Sequence, residues 1–77
     1  HGKILLKGGA FMRLNPVSSS WMNAVGWEDN KMYIQFKDGS ICVYLNVSKS
    51  QYRDFLNSPS LGSALTRFDK IHPYHRL

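Results

Sequence analysis

Hydrophobic and polar positions along this chain change period, and the changes mark its elements. Trp21 to Trp27 (WMNAVGW) alternates loosely and is rich in residues that suit a pleated surface, which predicts a first strand. The polar triplet Glu28-Asp29-Asn30 turns the chain. Lys31 to Lys37 (KMYIQFK) alternates cleanly, with Met32, Ile34 and Phe36 on one side and Tyr33, Gln35 and Lys37 on the other. Period two is the mark of a half-buried strand. Ser40 to Asn46 (SICVYLN) is a third strand, apolar from Ile41 through Leu45. From Val47 onward the period lengthens. Tyr52, Phe55 and Leu56 form one stripe, and Leu61, Ala64, Leu65 and Phe68 another, at the spacing of amphipathic helices. Ser48 and Gln51 have the capping-box spacing at the first helix. Ser58-Pro59 stops that helix and Ser60 caps the second. Pro73 ends the second and biases His72 to an extended form.

The predicted fold class is α+β, in the order β-β-β-α-α: a three-stranded antiparallel meander with two short helices on one face. The register of its second hairpin is open. A two-residue turn at Asp38-Gly39 pairs Phe36 with Ile41 and puts Ile41, Val43 and Leu45 on the core face. A three-residue loop with Gly39 as a bulge shifts the strand by one and puts Cys42 and Tyr44 there instead. In either register the third strand is apolar on both faces. Its second face needs a cover, from the chain's own ends or from a second copy.

The first eleven residues join no later pattern. His1-Gly2 matches the end of a histidine tag, and Met12 begins a sensible start. Residues 1–11 are read as an expression-tag or vector remnant, and residues 12–77 as a single domain. The alternative is a native strand over Lys3-Ile4-Leu5-Leu6. The choice alters the charge. The whole chain carries net +5, whereas residues 12–77 hold eight Lys/Arg against five Asp/Glu, net +3. That mild basic bias is compatible with a nucleic-acid partner. Seventy-seven residues bound the chain to one domain. The lone cysteine, Cys42, rules out an internal disulfide and fits a reducing compartment, so the expected location is the cytoplasm. No apolar run approaches the roughly 18 residues of a membrane span, so no membrane partner is expected.

Several strings then look familiar together: Pro16-Val17-Ser18-Ser19-Ser20, Val25-Gly26-Trp27, Phe36-Lys37-Asp38-Gly39, Tyr44, Val47, Tyr52, Leu56, Pro59-Ser60-Leu61-Gly62 and Pro73-Tyr74-His75-Arg76. Their order and spacing, from about residue 13 to the end, resemble the KTSC domain. That family is named for the C-terminus of some lysyl-tRNA synthetases and also occurs as single-domain proteins of bacteria and phages. The resemblance implies no catalysis; the family is described as of unknown function, with RNA as the ligand suggested for it, and no cofactor is expected. Two positions depart from the pattern. The family's central Tyr-x-Tyr is Cys42-Val43-Tyr44 here, and Ser48 stands where proline is common.

Candidate sites follow from charge and aromaticity. Lys37, Arg67, Lys70, His72, Tyr74, His75 and Arg76 are the candidate nucleic-acid contacts: cations hold phosphates while aromatic faces stack bases. The ligand class is RNA or single-stranded nucleic acid. The competing reading is a solvated surface over core aromatics. Trp21, Trp27, Tyr33 and Tyr44 are the candidate protein-interface residues, for a protein partner, an inhibitor role in a phage-encoded protein, or a homodimer. Asp69, His72 and His75 make a poor metal set, because Pro73 breaks their helical geometry and no fourth ligand is evident. Cys42 lies mid-strand among apolar neighbours, where a thiol is inert packing, and no base with an orienting acid is spaced for a triad. The chain is therefore expected not to be an enzyme.

Overall fold

The computed structural model describes residues 3–5 and 11–77, with side chains from residue 13. In chain order the elements are β1 (Lys3–Leu5), β2 (Phe11–Arg13), β3 (Asn15–Pro16), β4 (Met22–Glu28), β5 (Lys31–Phe36), β6 (Ile41–Tyr44), α1 (Lys49–Leu56), α2 (Leu61–Ile71) and β7 (Tyr74–Arg76). Strands β3-β4-β5-β6-β7 form one antiparallel sheet in that order, and β1 pairs with β2 separately. The fold class is α+β, with the three expected strands as the sheet's centre and a short strand added at each edge. Pro16 sits in the edge strand β3, where a missing N–H donor costs nothing. Lys3–Leu5 is a strand, and the boundary placed at residue 12 falls inside its partner β2. Residues 1–2 and 6–10 of the expected remnant lie outside the described residues.

The first hairpin turns on Asp29 and Asn30, both in the left-handed region (φ 54° and 60°), with Glu28 paired to Lys31. Two consecutive left-handed residues make the tight turn whose twist matches its strands, and Asp and Asn tolerate it best after glycine. Farther along β4, Met22 pairs with Phe36 and Ala24 with Gln35, so Asn23 is an extra residue. This bulge rotates Met22 onto the face of Val25 and Trp27 and leaves Ala24 on the other.

The second hairpin adopts the three-residue loop. Phe36 N donates to Ser40 O at 2.8 Å, Gly39 N donates to Phe36 O at 3.0 Å, and Gly39 sits at φ +92°. Gln35 then pairs with Ile41, Ile34 with Cys42, Tyr33 with Val43 and Met32 with Tyr44. Cys42 and Tyr44 face the helices, while Ile41, Val43 and Leu45 face away.

On the helix face, Met22, Val25, Met32, Ile34 and Tyr44 pack against Tyr52 and Phe55 of α1 and Ala64, Leu65 and Phe68 of α2. Phe55 and Phe68 join the helices, their centroids 5.4 Å apart. The expected capping box is present: Ser48 Oγ accepts from Gln51 N at 3.1 Å, and Gln51 Oε1 accepts from Ser48 N at 2.9 Å. Leu56 stays exposed, so the α1 stripe is narrower than its spacing indicates. The second face holds a smaller cluster of Leu14, Ala24, Tyr33 and Val43, with Ile41 and Leu45 half-buried beside it. Leu14, in the connection from β2 to β3, supplies cover from the chain's own N-terminal side. Among the described residues no helix is long and apolar enough to cross a membrane.

Gly39→Ala forces a side chain into the left-handed region, and the expected cost is about 1–2 kcal/mol of stability. Ser48→Ala removes the α1 cap for a further loss of about 1 kcal/mol. Urea midpoints of the two variants check both values, and an unmoved midpoint for Gly39→Ala would show that this loop does not hold the register.

Candidate binding surface

Five segments meet at one end of the sheet: the start of β4, the end of β5, the loop after it, the end of β7 and the first turn of α2. Pairing explains the meeting. Lys37 N donates to Trp21 O at 2.9 Å, extending the β4–β5 ladder past its last pair. Arg76 pairs with Cys42, and Leu77 N donates to Ile41 O at 2.8 Å, so β7 ends beside the Asp38–Ser40 loop. Tyr74, two residues earlier, pairs with Tyr44 farther along β6.

Trp21 is the centre of this end. It is 57% exposed, unusual for the largest apolar side chain. Its benzo edge lies across Gly62 in the first turn of α2: a Cβ added there would stand 3.5–3.9 Å from Cζ3, Cε3 and Cη2. Ser19 Oγ accepts from Trp21 N at 3.2 Å and steadies the backbone. The indole is thus supported on one side and open on the rest.

Trp21 lines two depressions. One, of about 410 Å³, is formed with Phe36, Lys37, Asp38, Ser40 and Arg76. It holds two cations and one carboxylate. Asp38 Oδ1 accepts from Ser40 N at 2.9 Å and from Ser40 Oγ at 2.7 Å. These bonds, with the Arg76 charge nearby, hold the Asp38 carboxyl below its ordinary range. The other depression, of about 400 Å³, has no charged residue in its lining. It is walled by the Ser18–Ser20 segment, Pro59–Ser63 and Thr66. Ser60 Oγ is occupied as the α2 cap, accepting from Ser63 N at 3.3 Å, and Thr66 Oγ1 donates to Gly62 O at 3.0 Å. Ser18, Ser20 and Ser63 are exposed.

The candidate nucleic-acid residues do not form one patch. Lys37 and Arg76 come together beside Trp21. Arg67 and Lys70 are exposed on α2 outside both depressions. His75 pairs with Val43, so it points from the opposite face of the sheet. His72 is not a surface contact at all. It is 7% exposed, its ring 4.7 Å from that of Phe68, and Nδ1 lies 3.2 Å from the Leu45 carbonyl. The extended backbone that Pro73 imposes carries it inward.

The candidate interface aromatics also divide. Only Trp21 is broadly exposed. Trp27 is half-buried, and its Nε1 donates to Val47 O at 2.7 Å, tying β4 to the entry of α1. Tyr33 is buried opposite Gly26, on the face away from the helices. Burial, with Glu28 and Asp29 adding to it, raises its phenol. Tyr44 is 2% exposed, so it too lies inside the chain rather than on its surface. Its hydroxyl donates to Asp69 Oδ1 at 2.6 Å, and Tyr74, half-exposed, stacks on its ring with centroids 5.0 Å apart. Burial foremost, then the Asp69 hydrogen bond and charge, push the Tyr44 phenol far above its ordinary value. Burial also raises the Cys42 thiol, against the opposing pull of Arg76. Asp69, His72 and His75 are turned to separate places, and no group of three or more His, Cys, Asp or Glu among the described residues could hold a metal ion.

The serine cleft and Gly62 are absent from the candidate contacts, although their strings carry the family resemblance, because loop serines and a cap explain themselves. A glycine inside the first turn of a helix is the one available signal, since it weakens the helix unless something packs against it.

Two helices on one face of an antiparallel meander, with an aromatic and cationic surface at the sheet's end, define a small α+β domain. The family model of the KTSC domain matches residues 18–74, and the chain belongs to that family. The match takes in Trp21 and the serine cleft but stops before Arg76. No curated protein matches the chain.

Tyr44 gives a pH dependence whose sign is determined. Its phenol stays protonated in the folded chain above pH 10, where the unfolded chain releases the proton. Its contribution to stability is therefore complete below about pH 10 and is lost as pH rises beyond. Denaturant midpoints are expected to fall between pH 9 and 11 by less in Tyr44→Phe than in the parent; Tyr33 and Cys42, shifted the same way, leave a remainder. At pH 7 the same variant loses about 1–2 kcal/mol with the Asp69 bond. Equal alkaline slopes would refute the assignment.

Proposed function

We propose that the chain is a non-catalytic domain that binds nucleic acid, RNA or a single strand, through the surface around Trp21. One observation carries this reading: an indole that is 57% exposed and propped on Gly62 shares a depression with Lys37 and Arg76. A fixed aromatic face offers a base a stacking platform without an ordering cost. Two cations beside it offer phosphate contacts. Stacking on such platforms contributes about 1–3 kcal/mol per base. The mild positive charge of residues 12–77 favours the same ligand class.

Fluorescence anisotropy with a labelled single-stranded RNA, the corresponding DNA and duplex RNA, each at two salt concentrations, tests the proposal. Trp21→Ala is expected to weaken binding roughly ten- to a hundredfold. Lys37→Glu and Arg76→Glu are expected to weaken it and flatten its salt dependence, whereas Lys70→Glu changes it least. With one to two phosphates neutralised, log K falls against log salt with a slope of about −0.7 to −1.4. Absence of binding to all three at low salt would overturn the reading and leave Trp21 as a contact for a protein partner or a second copy, the latter visible as doubled mass in sedimentation.

A further inference from the structure

Trp21 belongs to two depressions that differ in chemistry. The Lys37–Arg76 side is charged, while the Ser18–Ser20 and Pro59–Ser63 side is neutral and edged with exposed hydroxyls. Each has about 400 Å³ of space, within the range of pockets that hold one small organic group. Two such spaces joined at one stacking residue match neighbouring units of a polymer better than one compact ligand.

Resting on the nucleic-acid reading, we infer that the two depressions form one track across Trp21. A base stacks on the indole with its phosphate toward Lys37 and Arg76, and the adjoining nucleotide's sugar and base lie in the serine cleft. The ligand is then a single strand of at least two nucleotides. A duplex is refused, because its bases are already stacked on one another and cannot spread across an indole. The cleft has no cation in its lining, so the second nucleotide is held by hydroxyl and van der Waals contacts and adds affinity without adding salt dependence.

The test uses the intact chain and Trp fluorescence, with a 5′-mononucleotide, a dinucleotide, a single-stranded tetranucleotide and a duplex of the same base composition. Ser63 and Thr66 are exposed, so Ser63→Leu/Thr66→Leu fills the cleft without disturbing the core. The expected result has three parts. The dinucleotide binds the parent at least tenfold more tightly than the mononucleotide. Ser63→Leu/Thr66→Leu returns the dinucleotide to mononucleotide affinity and leaves mononucleotide affinity and the salt slope unchanged. The duplex produces no quenching at concentrations that saturate with the tetranucleotide. A tenfold gain that survives the filled cleft would overturn the track while leaving the Trp21 reading intact. Duplex binding equal to the single strand would also overturn the track. No quenching by any nucleic acid, together with no anisotropy change of the labelled single strand, would overturn the underlying reading as well.

Discussion

Gly39 at φ +92° governs more of this fold than its place in a surface loop implies. A three-residue loop around it sets the β5–β6 register, and the register decides which residues of an apolar strand meet the helices. Tyr44 is the one that matters. Facing α2, it donates to Asp69 and stacks with Tyr74, so one side chain joins the sheet, the second helix and the last strand. One residue out of register, Tyr44 would lie on the far face. Asp69 would lose its donor and β7 its anchor.

The same device recurs at Asn23. One extra residue in β4 brings Met22 into the core and leaves Trp21 just past the last pair, where the ladder continues only through its carbonyl. Gly62 completes the arrangement from the other layer by leaving room for the benzo edge of the ring. Trp21 is therefore placed by both layers, its carbonyl by the β4–β5 ladder and its ring against α2. Preorganised aromatic anchors lose little conformational entropy on binding.

Much of the architecture was legible from local chemistry. Alternation from Lys31 to Phe36, the Ser48–Gln51 cap and the Leu61–Phe68 stripe each act through neighbours a few residues away, and each appears in the structure. The register was not legible, because Asp38-Gly39 suits two loop lengths. Strand β7 was missed since Tyr74-His75-Arg76 is short and polar and owes its form to β6. His72 read as a surface cation because its neighbours are charged, yet Pro73 turns it inward. At the candidate surface only Lys37, Arg76 and Trp21 were foreseeable by type. Their meeting with Gly62 depends on pairing and packing between segments far apart in the chain, which no period records.

The Tyr44–Tyr74 pair also bears on how the chain assembles. It closes a segment of about 30 residues that contains both helices. Closing a segment of that length costs entropy that short hairpins avoid. Neighbouring strands β4, β5 and β6 are joined by local turns, whereas β7 meets β6 only across that long closure. The edge pair that brings Arg76 beside the Asp38–Ser40 loop therefore carries the largest closure cost in this sheet.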